Sequence, residues 1–329
     1  MTSRRGFLKR GLLLGGAAIV GAPVRSRIAA EGRAARSRIV VARDGHLDPL
    51  KGGLDTSRLA RLLDRTMQTL FDTDDPVEPW RRVVRPGEVV GLKVNCLAGP
   101  RLSTRTELVQ AVAERLRGAG VAEKDIVVWD RQNTDLEEGG YRIRHRGSGI
   151  RCFGNDLLGF GRDLEAFGSA GSLVCRTLTE TVDAVINLPV LKDHGIAGVT
   201  MALKNLFGAV HNPNKYHMNA GDPYIPDVYM LPSIRSKVRL TIGDALLAQC
   251  EGGPPFMPSW AWPFGGLIAG TDPVALDTVA WGIIEEERAR LGLPTLAEAG
   301  REPVYIATAA DDRHRLGTND PERIERVEA

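Results

Sequence analysis

The chain has 329 residues, 43% of them apolar and 5% aromatic, enough for one large globular domain or two small ones with a substantial core. Its formal charge of +2 hides an asymmetry: the first 30 residues hold five Arg, one Lys and no acid, which leaves the remainder at −4. That balance argues against nucleic acid and acidic membrane surfaces as partners.

The chain opens on S-R-R-x-F-L-K at residues 3–9, followed by an apolar run over 11–24. A charged n-region before a short apolar h-region is a targeting signal, here of the twin-arginine type. It predicts export of the folded chain through the twin-arginine translocase to a periplasmic location. The run is shorter than the roughly 20 residues that span a bilayer, and four of its residues are glycines, so no stable membrane anchor is expected. Residues 1–30 therefore read as a signal peptide, with cleavage near Ile28-Ala29-Ala30 or an uncleaved leader as alternatives. Residues 31–36 read as a linker, 37–320 as one α/β domain and 321–329 as a tail.

Beyond the linker, short β-branched runs alternate with amphipathic stretches, which predicts a mainly parallel sheet with helices on both faces. Strands are predicted at 38–42, 89–94, 126–129, 184–188, 238–242 and 304–307, and helices at 55–71 and 104–117. Leu59, Leu62, Leu63, Met67 and Leu70 form one apolar stripe in the first helix. The stretch 137–172, rich in Gly and Arg, reads as an insertion or a small subdomain. Thr271-Asp272-Pro273 opens the last long helix, since Asp or Thr can cap free N–H groups and Pro suits a first turn.

Four cysteines, Cys96, Cys152, Cys175 and Cys250, are widely spaced with no C-x-x-C pair, so ferredoxin and zinc-ribbon sites are excluded and no iron–sulfur cluster is expected. Buried thiols and disulfides in any of three pairings both remain open.

Ligands of parallel α/β sheets bind beyond the carboxyl ends of the strands. At those ends stand Lys93 and Asn95, Asp130 and Arg131, Lys192, Asp193 and His194, and Asp244. Any one of these carboxylates alone is more readily a helix cap; their convergence argues for a site. The densest stretch is 187–219, which holds His194, His211 and His217, half of the six histidines, and Lys192, Lys204 and Lys215, three of eight lysines. The chain otherwise meets its need for positive charge with Arg, so lysines kept here suggest an amine that loses its proton, forms an imine or acts as a compact charge. If 195–208 is largely helical, Thr200 and Lys204 share a face. His194, Lys204 and Lys192 are the candidate catalytic residues. Lys93, Asn95, Asp130, Asn205, Lys215 and Asp244 are candidates for binding a cofactor, and His211 and His217, with Asp193 or Asp222, for a divalent metal. No hydrolase elbow, P-loop or dinucleotide fingerprint occurs. The Pro- and Trp-rich loop 251–263 reads as a lid or pocket wall.

The leader, G-L-K-V-N at 91–95, L-P-V-L-K-D-H with G-V-T-M-A-L-K-N-L-F-G at 188–208, Gly243-Asp244 with Glu251-Gly252-Gly253-Pro254, and T-D-P-V-A-L-D at 271–277 together resemble the domain of unknown function 362 family. The resemblance runs over most of the chain after the leader. The iron–sulfur segment that some members of that family carry has no counterpart here. A shorter stretch is similar to the lactate racemase family, in which a histidine is an acid or base and a lysine ten positions later holds a nickel-pincer cofactor. His194 and Lys204 keep that interval, whereas Met201, Ala202 and Leu203 replace most of the small residues before the lysine.

Two functions follow as expectations. One is a periplasmic enzyme, loaded with a metal or organic cofactor before export, that acts on a small anionic substrate. In it Lys204 and Lys192 hold the anion, His194 moves a proton, and Asp130 and Asp244 orient these groups. The other is a binding or carrier protein that uses the same pocket without turnover.

Overall fold

The computed structural model describes residues 36–329, which form one unit; the leader, and the linker up to residue 35, lie outside them. β1 (Ser37–Arg43) reads S-R-I-V-V-A-R, and its alternation sends Val40 and Ala42 into the core on one side of the sheet and Ile39 and Val41 into the core on the other. The next strands are β2 (Val90–Lys93), β3 (Ile126–Asp130), β4 (Arg151–Gly154), β5 (Phe160–Phe167), β6 (Ala170–Cys175) and β7 (Ala184–Asn187). After them come β8 (Val190–His194), β9 (Gly198–Thr200), β10 (Val238–Gln249), β11 (Ala261–Trp262), β12 (Gly266–Gly270) and β13 (Ile324–Glu328).

The main sheet runs β13-β1-β12-β10-β7-β2-β3-β4. Its β4, β3, β2, β7 and β10 are parallel neighbours, β12 is antiparallel to both β10 and β1, and β13 lies parallel to β1. β8 joins β10 and turns back antiparallel as β9. The sheet is thus mainly parallel, as the alternating pattern predicts, with helices on both faces. Helices Thr56–Phe71 and Thr106–Gly118 cover one face with Leu59, Leu62, Leu63, Leu108, Val112 and Leu116. The other face carries Pro273–Arg290, Tyr224–Tyr229 and Tyr305–Ala310. Each Leu buried in this way contributes about 1.5–3 kcal/mol before the entropy of ordering it. Both long helices start at an acidic cap: Asp55 accepts from Arg58 N, and Asp272 accepts from Val274 N and Ala275 N ahead of Pro273.

The structure departs from the sequence reading in four places. Residues 304–307 are not a strand but enter the helix Tyr305–Ala310, whose buried Tyr305, Ile306 and Ala309 follow helical spacing; a short apolar run does not separate the two states. Residues 195–208 are not largely helical. Gly198, at φ +77 with Arg301 O 2.3 Å from where a Cβ would stand, opens β9, and Lys204–Ala209 forms a 3-10 turn. Residues 321–329, read as a tail, include β13, the edge strand beside β1. Within 137–172, β4 belongs to the main sheet while β5 and β6 begin a separate hairpin. All four cysteines are buried and free, and burial pushes the Cys152 and Cys175 thiols up to about 12.

Candidate functional site

β2 and β3 are parallel neighbours, and their last residues, Lys93 and Asp130, meet at the carboxyl edge of the sheet. Lys93 Nζ donates to Asp130 Oδ1 at 2.7 Å and to Val94 O at 2.6 Å, and it is 1% exposed. Asp130 also accepts from Cys96 N and Arg131 N, so its carboxylate fixes the turns after both strands. Above this pair lies a cavity of about 660 Å³. Strand alternation brings Lys192 and His194 of β8 into its lining and turns Asp193 away. Thr200 at the end of β9 and Lys204 at the start of the 3-10 turn both line it, though not from one helical face as the sequence suggests.

Amide side chains hold the lysines in place. Lys192 Nζ donates to Asn95 Oδ1 at 2.8 Å, Asn95 Nδ2 to Asn205 Oδ1 at 2.9 Å, and Asn205 Nδ2 to Asn187 Oδ1 at 2.7 Å. Asn187 in turn donates to Ala202 O at 2.9 Å, which ties β7 to the turn that carries Lys204. Gly208 leaves room on the other side, since a Cβ there would stand 3.0 Å from Lys93 Cε and 3.2 Å from its Nζ.

The charges do not balance. Four basic side chains, Lys93, Arg131, Lys192 and Lys204, line the cavity against two acids, Asp130 and Asp135. Asp130 pairs with Lys93, and Asp135 with Arg131 at 3.4 Å. Among the described residues, Lys192 and Lys204 form no salt bridge, although they are 1% and 7% exposed. Burial pushes Lys192 down to about 8. Burial, with Lys192 adding to it, pushes Lys204 down to about 7. Lys204 Nζ lies 3.1 Å from His217 Nε2 and 4.6 Å from the centre of the Phe207 ring. Two further polar atoms of the lining, Thr200 Oγ1 and Arg131 Nε, are buried without a hydrogen-bond partner.

The histidines part company. His194 Nδ1 accepts from Ile196 N and Ala197 N, both at 3.1 Å, so in the neutral ring the proton sits on Nε2. Burial, then Lys204, His217 and Lys192, push His194 down to about 2. It therefore stays neutral and offers an N–H, which suits an oxyanion better than the proton-moving role expected of it. His217 stacks on His194 with ring centres 5.5 Å apart, and burial and then Lys204 lower its basicity. His211 is exposed, packs edge-on to Phe160 and lies outside the cavity lining, so the structure does not bring it to His217. Between them Asn212 is left-handed, at φ 51, and opens the 3-10 turn Pro213–Tyr216. Among the described residues no group of three His, Cys, Asp or Glu side chains is gathered for a metal ion.

Three more expected site residues have other duties. Lys215 is exposed and donates to Gly171 O. Asp244, pushed up to about 6 by burial, accepts from Arg105 N and Leu246 N and so anchors the start of helix Thr106–Gly118. Asp193 accepts from Gly253 N and Arg301 Nη1, both at 2.8 Å, and rivets the Gly253-Pro254 wall of the cavity to β8. The sequence reading misses two positioning residues. One is Asn187. The other is Asp277, buried inside its helix, which accepts from Ala202 N at 2.6 Å, Leu203 N at 3.3 Å and the Tyr305 hydroxyl at 3.2 Å and so fixes the turn that presents Lys204. Burial pushes the Asp277 carboxyl up to about 7 against those three bonds. Its only signal in the sequence is the T-D-P-V-A-L-D motif.

The family model described as domain of unknown function (DUF362) matches residues 90–282, a span that contains every residue of the cavity lining. A thylakoid-associated protein of Synechocystis sp. is 31% identical over 248 residues, covering 72% of this chain and 74% of that protein. A crystal structure of a Thermotoga maritima protein aligns at 12% identity with a TM-score of 0.44, over 72% of this chain and 59% of that one, so the chain spans less than two thirds of its length.

Proposed function

The chain belongs to the domain of unknown function 362 family, and on that premise we propose that its matched segment houses the active site of an enzyme for small anionic substrates. The observation that carries the reading is the pair of buried lysines, Lys192 and Lys204, each without a carboxylate partner among the described residues. A buried cation left unpaired is costly to the fold, and an anionic ligand offsets that cost. The same excess of bases repels a divalent cation, so an organic anion fits the cavity better than a metal ion. His194 Nε2–H and the Thr200 hydroxyl supply neutral hydrogen bonds to the ligand.

The lysines set the expected pH dependence. An anion binds their protonated forms, so its affinity should be flat below about pH 7 and fall as Lys204 and then Lys192 lose their protons. Calorimetric titration of oxalate into the full chain between pH 5 and pH 10 measures this. An affinity unchanged from pH 6 to pH 10 overturns the role of the lysines.

The leader supports export of the folded chain by the twin-arginine route to the periplasm. The relative's name, thylakoid-associated, supports a working place beside a membrane. Replacing Arg4 and Arg5 by Lys should strand the chain in the cytoplasm; fractionation that still recovers it outside overturns this placement.

A further inference from the structure

We infer that Lys204 is an imine-forming amine and that the substrate is a small 2-oxo acid whose carboxylate rests on Lys192. The inference rests on the anion-site reading above and adds the chemistry of the bound molecule.

Four observations converge on Lys204. Its Nζ is buried, and among the described residues its one hydrogen-bonding side chain is His217, a base rather than an acid, at 3.1 Å. Lys93 in the same cavity is by contrast paired with Asp130 at 2.7 Å, and Lys192 is bonded to Asn95 at 2.8 Å, so Lys204 is the lysine that faces a base. Burial, and then Lys192 in the same cavity, lowers the proton affinity of Lys204, which leaves a substantial amine fraction at neutral pH. Finally, the backbone that carries Lys204 is fixed: Met201 and Leu203, just before it in the chain, are fully buried, and Asp277 holds the N–H groups of Ala202 and Leu203. A fixed amine beside a base, with a second cation for an anionic group, matches a ligand that carries a carbonyl next to a carboxylate.

The step balances without an oxidant or reductant. The Lys204 Nζ lone pair attacks the carbonyl carbon and forms the C–N bond, while His217 Nε2 takes a proton from Nζ. His194 Nε2–H and the Thr200 hydroxyl are placed to donate hydrogen bonds to the developing oxyanion. His217 returns that proton to the oxyanion, giving the carbinolamine. It then passes the second Nζ proton to the carbinolamine hydroxyl, the C–O bond breaks as the C=N bond forms, and water leaves the imine.

The test is reductive trapping. The full chain is incubated with pyruvate and sodium cyanoborohydride near pH 7.5, and the intact mass and peptide map are read. One adduct per chain on Lys204 is expected, with Lys51, whose side chain is 84% exposed, as the internal control for unselective reaction. Lys204→Arg should bind oxalate and give no adduct, and Lys192→Met should slow trapping by about tenfold. If oxalate binds the wild-type chain but pyruvate gives no adduct, or labels exposed lysines as readily as Lys204, the imine inference is overturned while the anion site stands. If oxalate does not bind at all, the anion-site reading itself falls.

Discussion

Lys204→Met is expected to raise the thermal stability of the chain while weakening oxalate binding by more than about a hundredfold. The two effects have one cause. In the folded protein Lys204 is desolvated and lies near Lys192, which brings it down to about 7 from an ordinary 10.5. A shift of that size corresponds to about 3–5 kcal/mol of destabilisation below about pH 7, where both the folded and the unfolded chain hold the proton. The sign fixes the pH window. Between about pH 7 and 10.5 the unfolded state binds more protons than the folded one, so wild-type stability rises with pH relative to the methionine variant. The variant's advantage should be largest below pH 7 and close above about 10.5. Thermal unfolding of both proteins at pH 6, 8 and 10 measures it. A methionine variant less stable than wild type at pH 6 would mean that the ammonium group is already compensated.

The second large effect is expected at Asp277, which is not part of the cavity lining. Asp277→Ala leaves the N–H groups of Ala202 and Leu203 and the Tyr305 hydroxyl without their shared acceptor in a dry interior. Each buried donor left unmet costs about 1–3 kcal/mol, so a loss of about 3–5 kcal/mol is expected. The same change frees the turn that presents Lys204. Oxalate affinity should therefore drop even under conditions where the variant is fully folded. Asp277→Asn keeps one acceptor and should fall between. Chemical denaturation together with calorimetry separates the two readouts. An Asp277→Ala protein that is destabilised but binds oxalate normally would leave Asp277 a structural residue only.

Sequence was a good guide where local pattern and local structure coincide. The run I-V-V-A at 39–42 alternates into two core layers, the leucine stripe of 59–63 fits one helical face, and Asp272-Pro273 caps the helix it was expected to cap. The scarcity of lysine in an arginine-rich chain pointed to Lys192 and Lys204, and both line the cavity. What the sequence could not show were relations set by strand order. Lys93 and Asp130 are 37 residues apart and pair because β2 and β3 are neighbours. His211 misled for the opposite reason: it is near His217 in sequence, but it packs on Phe160 outside the cavity lining while His217 stacks on His194. Asp277 and Asn187 escaped notice because each lies within an apolar stretch, where a polar residue's partner is invisible until the elements pack.

The rivet at the cavity wall bears on how a ligand comes and goes. Asp193 holds Gly253 and Arg301, Arg301 also reaches Glu251, and Glu251 reaches the buried Arg288. Swinging the Gly253-Pro254 wall outward would strip these charges of their partners, and breaking such a buried pair costs about 3–5 kcal/mol. Fewer than about one molecule in a hundred would have that door ajar at any moment. Traffic is then left to the part of the lining where Leu97 and Ile196 stand 53% and 47% exposed. The time a ligand stays is set there by its hold on two lysines, and no slow gate need be opened for it to depart.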